Sequence, residues 1–282
     1  MTLAPDASLR LTALHVYPIK SAAGLAPARW TVDDFGLQYD RRWMVVDRNG
    51  GMLSQRTHPR LAQVTPSIGY GMLRVETAGM PPLELPLAPA AAVTTMVTVW
   101  GDRCAASWAG ERAARWFADV LDADCTLVHM PETTIRLANP QYAPEGQRVS
   151  FADAYPFLLI SEESLAELNR RMPAPLPMNR FRPNLVMVGG RAFEEDRIGT
   201  FMVGAITFHT VKPCDRCVIT TTDQSTGVRG SEPLRTLATF RRRDGYVFFG
   251  QNVVHNGRGR LMVGDILSMV PGDGSPEGAA PE

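Results

Sequence analysis

Four short apolar runs, each interrupted or bounded by glycine, fill the second half of this chain. They are "NLVMVGG" from Asn184, "FMVGAITFHTV" from Phe201, "YVFFGQNVV" from Tyr246 and "LMVGDILSMV" from Leu261. Runs of this length, rich in β-branched and aromatic residues and punctuated by glycine, read as strands joined by tight turns. Four or more in succession give a barrel or a strongly curved sheet.

The first hundred residues carry a similar signal. "LRLTALHVY" alternates apolar Leu9, Leu11 and Ala13 before turning at Pro18, and "VTTMVTVW" is rich in β-branched residues. "RRWMVVD" followed by "RNGG" reads as one arm of a hairpin and its turn. Proline and glycine clusters between residues 65 and 92 fit short strands joined by loops. The period then changes. In "ERAARWFADVLDA" the apolar positions Ala113, Trp116, Phe117, Val120 and Leu121 have helical spacing. "CTLVHM" returns to strand. A loop over 131–150, with Pro131, Pro140 and Pro144, is a candidate boundary or mobile segment. A second helix is expected after Ser161, a residue suited to N-capping, with Glu162 and Glu163 in the first turn. The fold class is therefore β-rich α+β, with a domain over 9–130, a second over 131–271 and a disordered tail over 272–282.

Composition removes several functions. The 282 residues are 45% hydrophobic and 21% charged, with a formal net charge of +0, so no global field favours nucleic acid. No run approaches the roughly eighteen apolar residues of a membrane helix, and "MTLAPDASLR" is not a secretory leader. A cytoplasmic protein without membrane partners is expected, its four cysteines reduced. There is no P-loop, no G-x-G-x-x-G after the first strand and no G-x-S-x-G elbow.

The most informative segment is "VKPCDRCVITTTDQSTG", residues 211–227. Cys214 and Cys217 could be half of a zinc site, but a second C-x-x-C or a histidine pair at finger spacing is missing, and no spacing argues for His209 or His255. A thioredoxin-like dithiol wants a helix after the motif, whereas "CVITTTD" reads as strand. Two buried small hydrophobes are the third reading. Against it stand Lys212 and Arg216, since flanking cations favour the thiolate a soft metal needs. Arginines also cluster beside turns in "DRRW", "SQRTHPR" and "NRFRPN", where guanidinium groups suit phosphate. In "YPIKSAAG" a lysine, a serine and small residues can form an anion-binding turn.

In this order, "YPIKS", "DRRWMVVD", "SEESLAELNRR", "NRFRPNLVM" and K-P-C-x-R-C-x-x-T-T-x-D-x-x-T-G resemble the MOSC-domain proteins that carry an N-terminal MOSC-type β-barrel domain. The likeness is greatest to the mitochondrial amidoxime reducing components and bacterial YcbX-like proteins, and covers about residues 9 to 271. The resemblance implies an N-terminal barrel-like domain, a C-terminal MOSC β-barrel with a few helices, and a molybdenum cofactor, Mo-molybdopterin. It assigns Cys214 as the sulfur ligand to molybdenum and as the catalytic position, with Cys217 packed behind it. Lys20, Ser21, Arg41, Arg182 and Asn184 match cofactor-holding positions, and Lys212 of the cysteine motif is expected to bind the cofactor with them. Asp153 and Tyr155 fall in a further contact segment, and Phe249, Gly250 and Gln251 are expected to line the same pocket. The implied reaction is reduction of small N-hydroxylated compounds, amidoximes or N-hydroxylated bases. Mitochondrial relatives carry a membrane anchor and some bacterial ones a ferredoxin-type module. Neither is visible here, so electrons are expected from a separate ferredoxin, flavoprotein reductase or b-type cytochrome. The alternative is a carrier that holds the cofactor, or sulfur as a persulfide on Cys214.

Overall fold

In the computed structural model, which describes residues 8–88 and 93–270, the glycine-punctuated runs of the second half join one eight-stranded sheet, except that Leu261 and Met262 pair elsewhere, with Arg29–Asp33. The tail expected over 272–282 lies outside the described residues. The sheet runs in the order Arg10–Leu14, Leu185–Val188, Phe157–Ser161, Tyr246–Asn256, Ile206–Asp215, Thr200–Val203, Ser268–Met269, and Arg242–Arg243 adds to Tyr246–Asn256. Phe157–Ser161 and Leu185–Val188 pair in parallel, which requires a crossover, and the helix Glu162–Arg171 lies on that connection. Ser161 caps this helix by accepting the Ser164 N–H at 3.1 Å. Phe157, Leu159, Leu185, Phe201, Phe208 and Val253 fill the core on one face of the sheet.

The first half builds a four-stranded sheet in the order Trp43–Asp47, Cys125–His129, Asp102–Trp108, Thr94–Val99, and a meander of Thr65–Gly69, Met72–Glu76 and Leu83–Pro86. The unbroken apolar run "WMVV" has a physical cause. Trp43 and Val45 face a core shared with the helix Glu111–Leu121, while Met44 and Val46 face a second core with Phe35, Val97 and Phe151. A strand buried on both faces has no solvent side to make polar. The helix buries Ala113, Trp116, Phe117, Val120 and Leu121, the five positions its period marks.

The two halves are stitched together in space. Arg10–Leu14 pairs with Leu185–Val188, and Arg29–Asp33 pairs with Gly259–Met262. A bulge between Leu11 and Ala13 breaks the expected alternation, so that Leu11 and Leu14, not Ala13, are buried. Two further expectations need correction. After "RNGG" the chain returns along Trp43–Asp47 only as the isolated bridge Val46 to Met52, because the Asp47 carboxylate closes the turn on the Asn49 and Gly51 N–H groups and the chain then departs toward Ser54. "VITT" of "CVITTTD" is a 3-10 turn, Val218–Thr221, not a strand, because the Thr220 and Thr221 hydroxyls donate to the Cys217 and Val218 carbonyls. The 131–150 loop is tied down through Arg136, whose guanidinium donates to the carbonyls of Ser150, Ala152 and Asp153 and pairs with Asp102.

Candidate functional site

Three segments supply one wall of a cleft, and each enters it through strained backbone. After Tyr17 the chain runs beside Trp43, with the Lys20 N–H on the Trp43 carbonyl at 2.8 Å. Ser21, Arg41 and Arg182 all have positive φ, 67°, 48° and 55°. Non-glycine residues rarely adopt this region, at a cost of about 1–3 kcal/mol each, and such strain gathers at functional sites. All three line the cleft.

The wall they form is cationic and held rigidly. Tyr17 lies between two guanidinium groups, Arg41 at 4.4 Å and Arg182 at 4.1 Å from its ring centre. Its hydroxyl donates to the Pro183 carbonyl at 3.1 Å, and burial pushes its pKa up to about 12 despite both arginines. Asp40, almost wholly buried, accepts from the Tyr17 N–H at 2.8 Å and from Arg41 at 2.5 Å. Asn184 accepts from Arg41 at 3.0 Å, and Arg182 donates to the Ala22 carbonyl at 2.7 Å. Burial pushes the Arg182 pKa down to about 10. Lys20 is buried, donating to the Phe151 carbonyl at 2.7 Å and to the Asp153 carboxylate. Desolvation lowers the Lys20 pKa and Asp153 opposes it. The Asp153 side chain is 58% exposed into the cleft. Surrounding protein works against its charge, but Lys20, the Trp100 indole and Arg56 outweigh this and hold it below the usual carboxylate range.

The opposite wall carries the thiols. The strand Ile206–Asp215 slips register twice against its neighbour, between Thr210 and Lys212 and between Pro213 and Asp215. Such bulges re-aim side chains, and the second of them falls at Cys214 itself. Its sulfur accepts from Arg216 Nη1 at 2.9 Å, while Arg216 Nη2 donates to the Phe181 carbonyl at 2.6 Å. Burial pushes the Cys214 thiol pKa up and Arg216 partly opposes it. Cys217 accepts instead from Arg56 Nη2 at 3.0 Å. Each thiol thus has its own guanidinium, and both cysteines are free thiols.

The cleft holds about 810 Å³ of empty space, counting the open solvent at its mouth. Of the residues singled out from sequence, Lys20, Ser21, Arg41, Asp153, Tyr155, Arg182, Asn184, Cys214 and Cys217 line it. Lys212, Phe249, Gly250 and Gln251 do not. The Lys212 ammonium lies over the Tyr142 ring at 5.4 Å, so the second cation beside the thiols is Arg56 and not Lys212. Phe249 packs behind the lining residue Phe181, ring centres 4.5 Å apart, and Gln251 donates to Asp196 at 2.7 Å. Gly250 has φ 81°, and a Cβ there would meet Ile160 Cγ1 at 2.6 Å. Along this strand it is Asn252 that reaches the cleft. Sequence reasoning missed Tyr17 and Asp40, missed Arg136 behind Asp153, and noted Arg56 only as an arginine beside a turn.

Five cations line the cleft (Lys20, Arg41, Arg56, Arg182, Arg216) against two carboxylates, Asp153 and Asp215. That surplus suits an anionic, phosphate-bearing ligand. Among the described residues no three His, Cys, Asp or Glu side chains cluster as a metal site. A metal held here would arrive with ligands of its own, and Cys214 offers one soft sulfur. Fold and cleft together define a class: two-part β-rich proteins with cysteine thiols set in a cation-rich cleft. Residues 8–124 match the MOSC N-terminal beta barrel domain and residues 146–268 match the MOSC domain. The chain is 34% identical to mitochondrial amidoxime reducing component 2 of Rattus norvegicus over 270 residues, covering 89% of this chain and 80% of that one. It is 32% identical to mitochondrial amidoxime-reducing component 1 of Mus musculus, covering 89% and 79%. Against molybdenum cofactor sulfurase of Homo sapiens it is 31% identical, covering 87% of this chain and 30% of that one. The chain belongs to the MOSC family, with the N-terminal barrel domain and the MOSC domain in tandem.

Proposed function

We propose that this chain is a molybdenum-cofactor enzyme that reduces N-hydroxylated compounds, drawing electrons from a separate donor protein. The observation that carries the reading is Cys214, set at a bulge of its strand and facing a cleft with a surplus of cations. Cys214 would give the metal its protein sulfur. Arg41, Arg182 and Lys20 would hold the cofactor's phosphate and pterin edge, with Asn184 and Ser21 completing the cradle. When bound, the cofactor supplies the two-electron reduction of an N–O bond.

The protein's own part is binding and orientation. Asp40 holds Arg41 in place, Tyr17 keeps the two guanidinium planes apart, and Arg216 supports the Cys214 sulfur in its charged form. Lys20 and Asp153 balance each other's charge inside the cleft. Similarity to molybdenum cofactor sulfurase favours a second reading, in which Cys214 carries cofactor or persulfide sulfur without reducing a substrate.

One experiment separates these. Protein from a cofactor-competent host is analysed for molybdenum and assayed for benzamidoxime reduction by a dithionite-reduced viologen dye. The enzyme reading expects about one molybdenum per chain, turnover, loss of both in Cys214→Ala and retention of both in Cys217→Ala. Arg182→Ala is expected to lower molybdenum content while the chain stays folded. Sulfane sulfur on Cys214 without molybdenum would favour the carrier, and metal-free, inactive protein would sink the enzyme.

A further inference from the structure

Trp100 occupies a turn position that its chemistry does not explain. It is the first of two residues joining the antiparallel strands Thr94–Val99 and Asp102–Trp108, and Gly101 is the second. Both have positive φ, 55° and 103°. A two-residue hairpin turn of this kind favours Asn-Gly or Asp-Gly, whose first residue tolerates the left-handed region, and a bulky side chain there is an outlier. Strain of this sort points to a role for the side chain.

The side chain is tethered at the cleft. The Trp100 indole N–H donates to the Asp153 carboxylate at 2.9 Å, and the Arg56 guanidinium lies over the ring, 4.4 Å from its centre. Asp153 and Arg56 both line the cleft, and Arg56 also holds Cys217. Trp100 nonetheless remains 51% exposed. A free surface tryptophan would be mobile. This one is fixed at its nitrogen and packed under a cation, with about half of the residue still open to solvent beside two cleft-lining side chains. Arg56 draws on the ring's negative face, which leaves the indole suited to stack with a flat, conjugated partner.

We propose that Trp100 is a specificity-determining platform on which the aromatic or heteroaromatic part of a substrate stacks while its N-hydroxylated group enters the cleft. The inference rests on the reductase reading above and narrows it. The favoured substrates are aryl amidoximes and N-hydroxylated planar bases, not N-hydroxylated alkyl compounds. The side chain that sets this preference belongs to the N-terminal half, whereas Cys214 belongs to the C-terminal half.

The test compares benzamidoxime with acetamidoxime, which share a head group and differ in the ring. The holoprotein and two variants, Trp100→Asn and Trp100→Phe, are assayed with reduced viologen and, in parallel, titrated with both compounds by calorimetry. Asn is the residue this turn prefers, so Trp100→Asn removes the ring without endangering the fold, and its thermal midpoint is expected not to fall. Trp100→Asn should cut the aryl-over-alkyl ratio of kcat/KM about tenfold, mainly through KM, the size of effect one stacked ring gives. Trp100→Phe should keep most of the ratio. An unchanged ratio in Trp100→Asn, or equal losses for both compounds, would overturn the inference. If the holoprotein reduces neither compound, the reductase reading fails but the titrations still decide. Tighter benzamidoxime binding that Trp100→Asn abolishes supports the platform, and no aryl preference in the unaltered protein overturns it.

Discussion

Acid should loosen this protein first behind Lys20, through His129. That histidine ends the strand Cys125–His129 and lies opposite Trp43, whose carbonyl receives the Lys20 N–H. It is 9% exposed, and its ring centre is 4.8 Å from that of Trp43. Burial, reinforced by the Arg42 charge, pushes its pKa from 6.5 down to about 4. At pH 7.5 both folded and unfolded chains hold it neutral, so it has no effect. Between pH 6.5 and about 4 the unfolded chain binds a proton that the folded chain refuses, and stability falls with pH. At about 1.4 kcal/mol per pH unit the loss sums to about 3 kcal/mol and levels off below pH 4. The assay is urea unfolding of wild type and His129→Phe at pH 7, 6, 5 and 4. His15 and His255, also lowered by burial, act alike in both proteins and cancel. His129→Phe should gain on wild type by about 3 kcal/mol from pH 7 to pH 4. Parallel curves would refute the reasoning, because they would mean that the ring protonates in the folded state as easily as in water.

Two further outcomes follow from hydrogen bonds at the cleft. In a Cys217→Ala background, Arg216→Leu removes the 2.9 Å donor to the Cys214 sulfur, so the pH midpoint of Cys214 alkylation should rise, and an unchanged or lower midpoint would show that Arg216 does not stabilise the thiolate. Arg136→Met strips donors from the carbonyls of Ser150, Ala152 and Asp153 and should cost about 3 kcal/mol in urea unfolding, with faster amide exchange over 150–153; a loss under about 1 kcal/mol would mean that the loop does not depend on it.

What was legible in the sequence was whatever is local. The helix Glu111–Leu121 buries the residues its period marks, and Ser161 caps the next helix as its position predicts. Motif resemblance groups Lys20, Arg41, Arg182 and Cys214, and all four line one cleft, because a resemblance carries spatial information that spacing alone lacks. Side-chain direction was not legible. Phe249, Gly250 and Gln251 sit one strand position or more from the cleft-facing Asn252, and two bulges across from them set the alternation there. The threonines after Cys217 have high strand propensity, yet their hydroxyls bond back to the chain and make a 3-10 turn. Arg136 and Trp100 act through partners more than a dozen residues away, and nothing beside them in sequence announces it.

The exchange of strands between the halves fixes when the cleft can come into being. Arg10–Leu14 has no strand partner until Leu185–Val188 has been synthesised, and Arg29–Asp33, which pairs early with Gly36–Leu37, gains its second neighbour only with Gly259–Met262. Lys20 lies between these two early strands and Arg41 follows them, so the residues made first are among the last to be set in place. Closing loops of this length is slow. A nascent chain cannot offer the assembled cleft before Asn252 has emerged, so any ligand is bound only once that strand has been made.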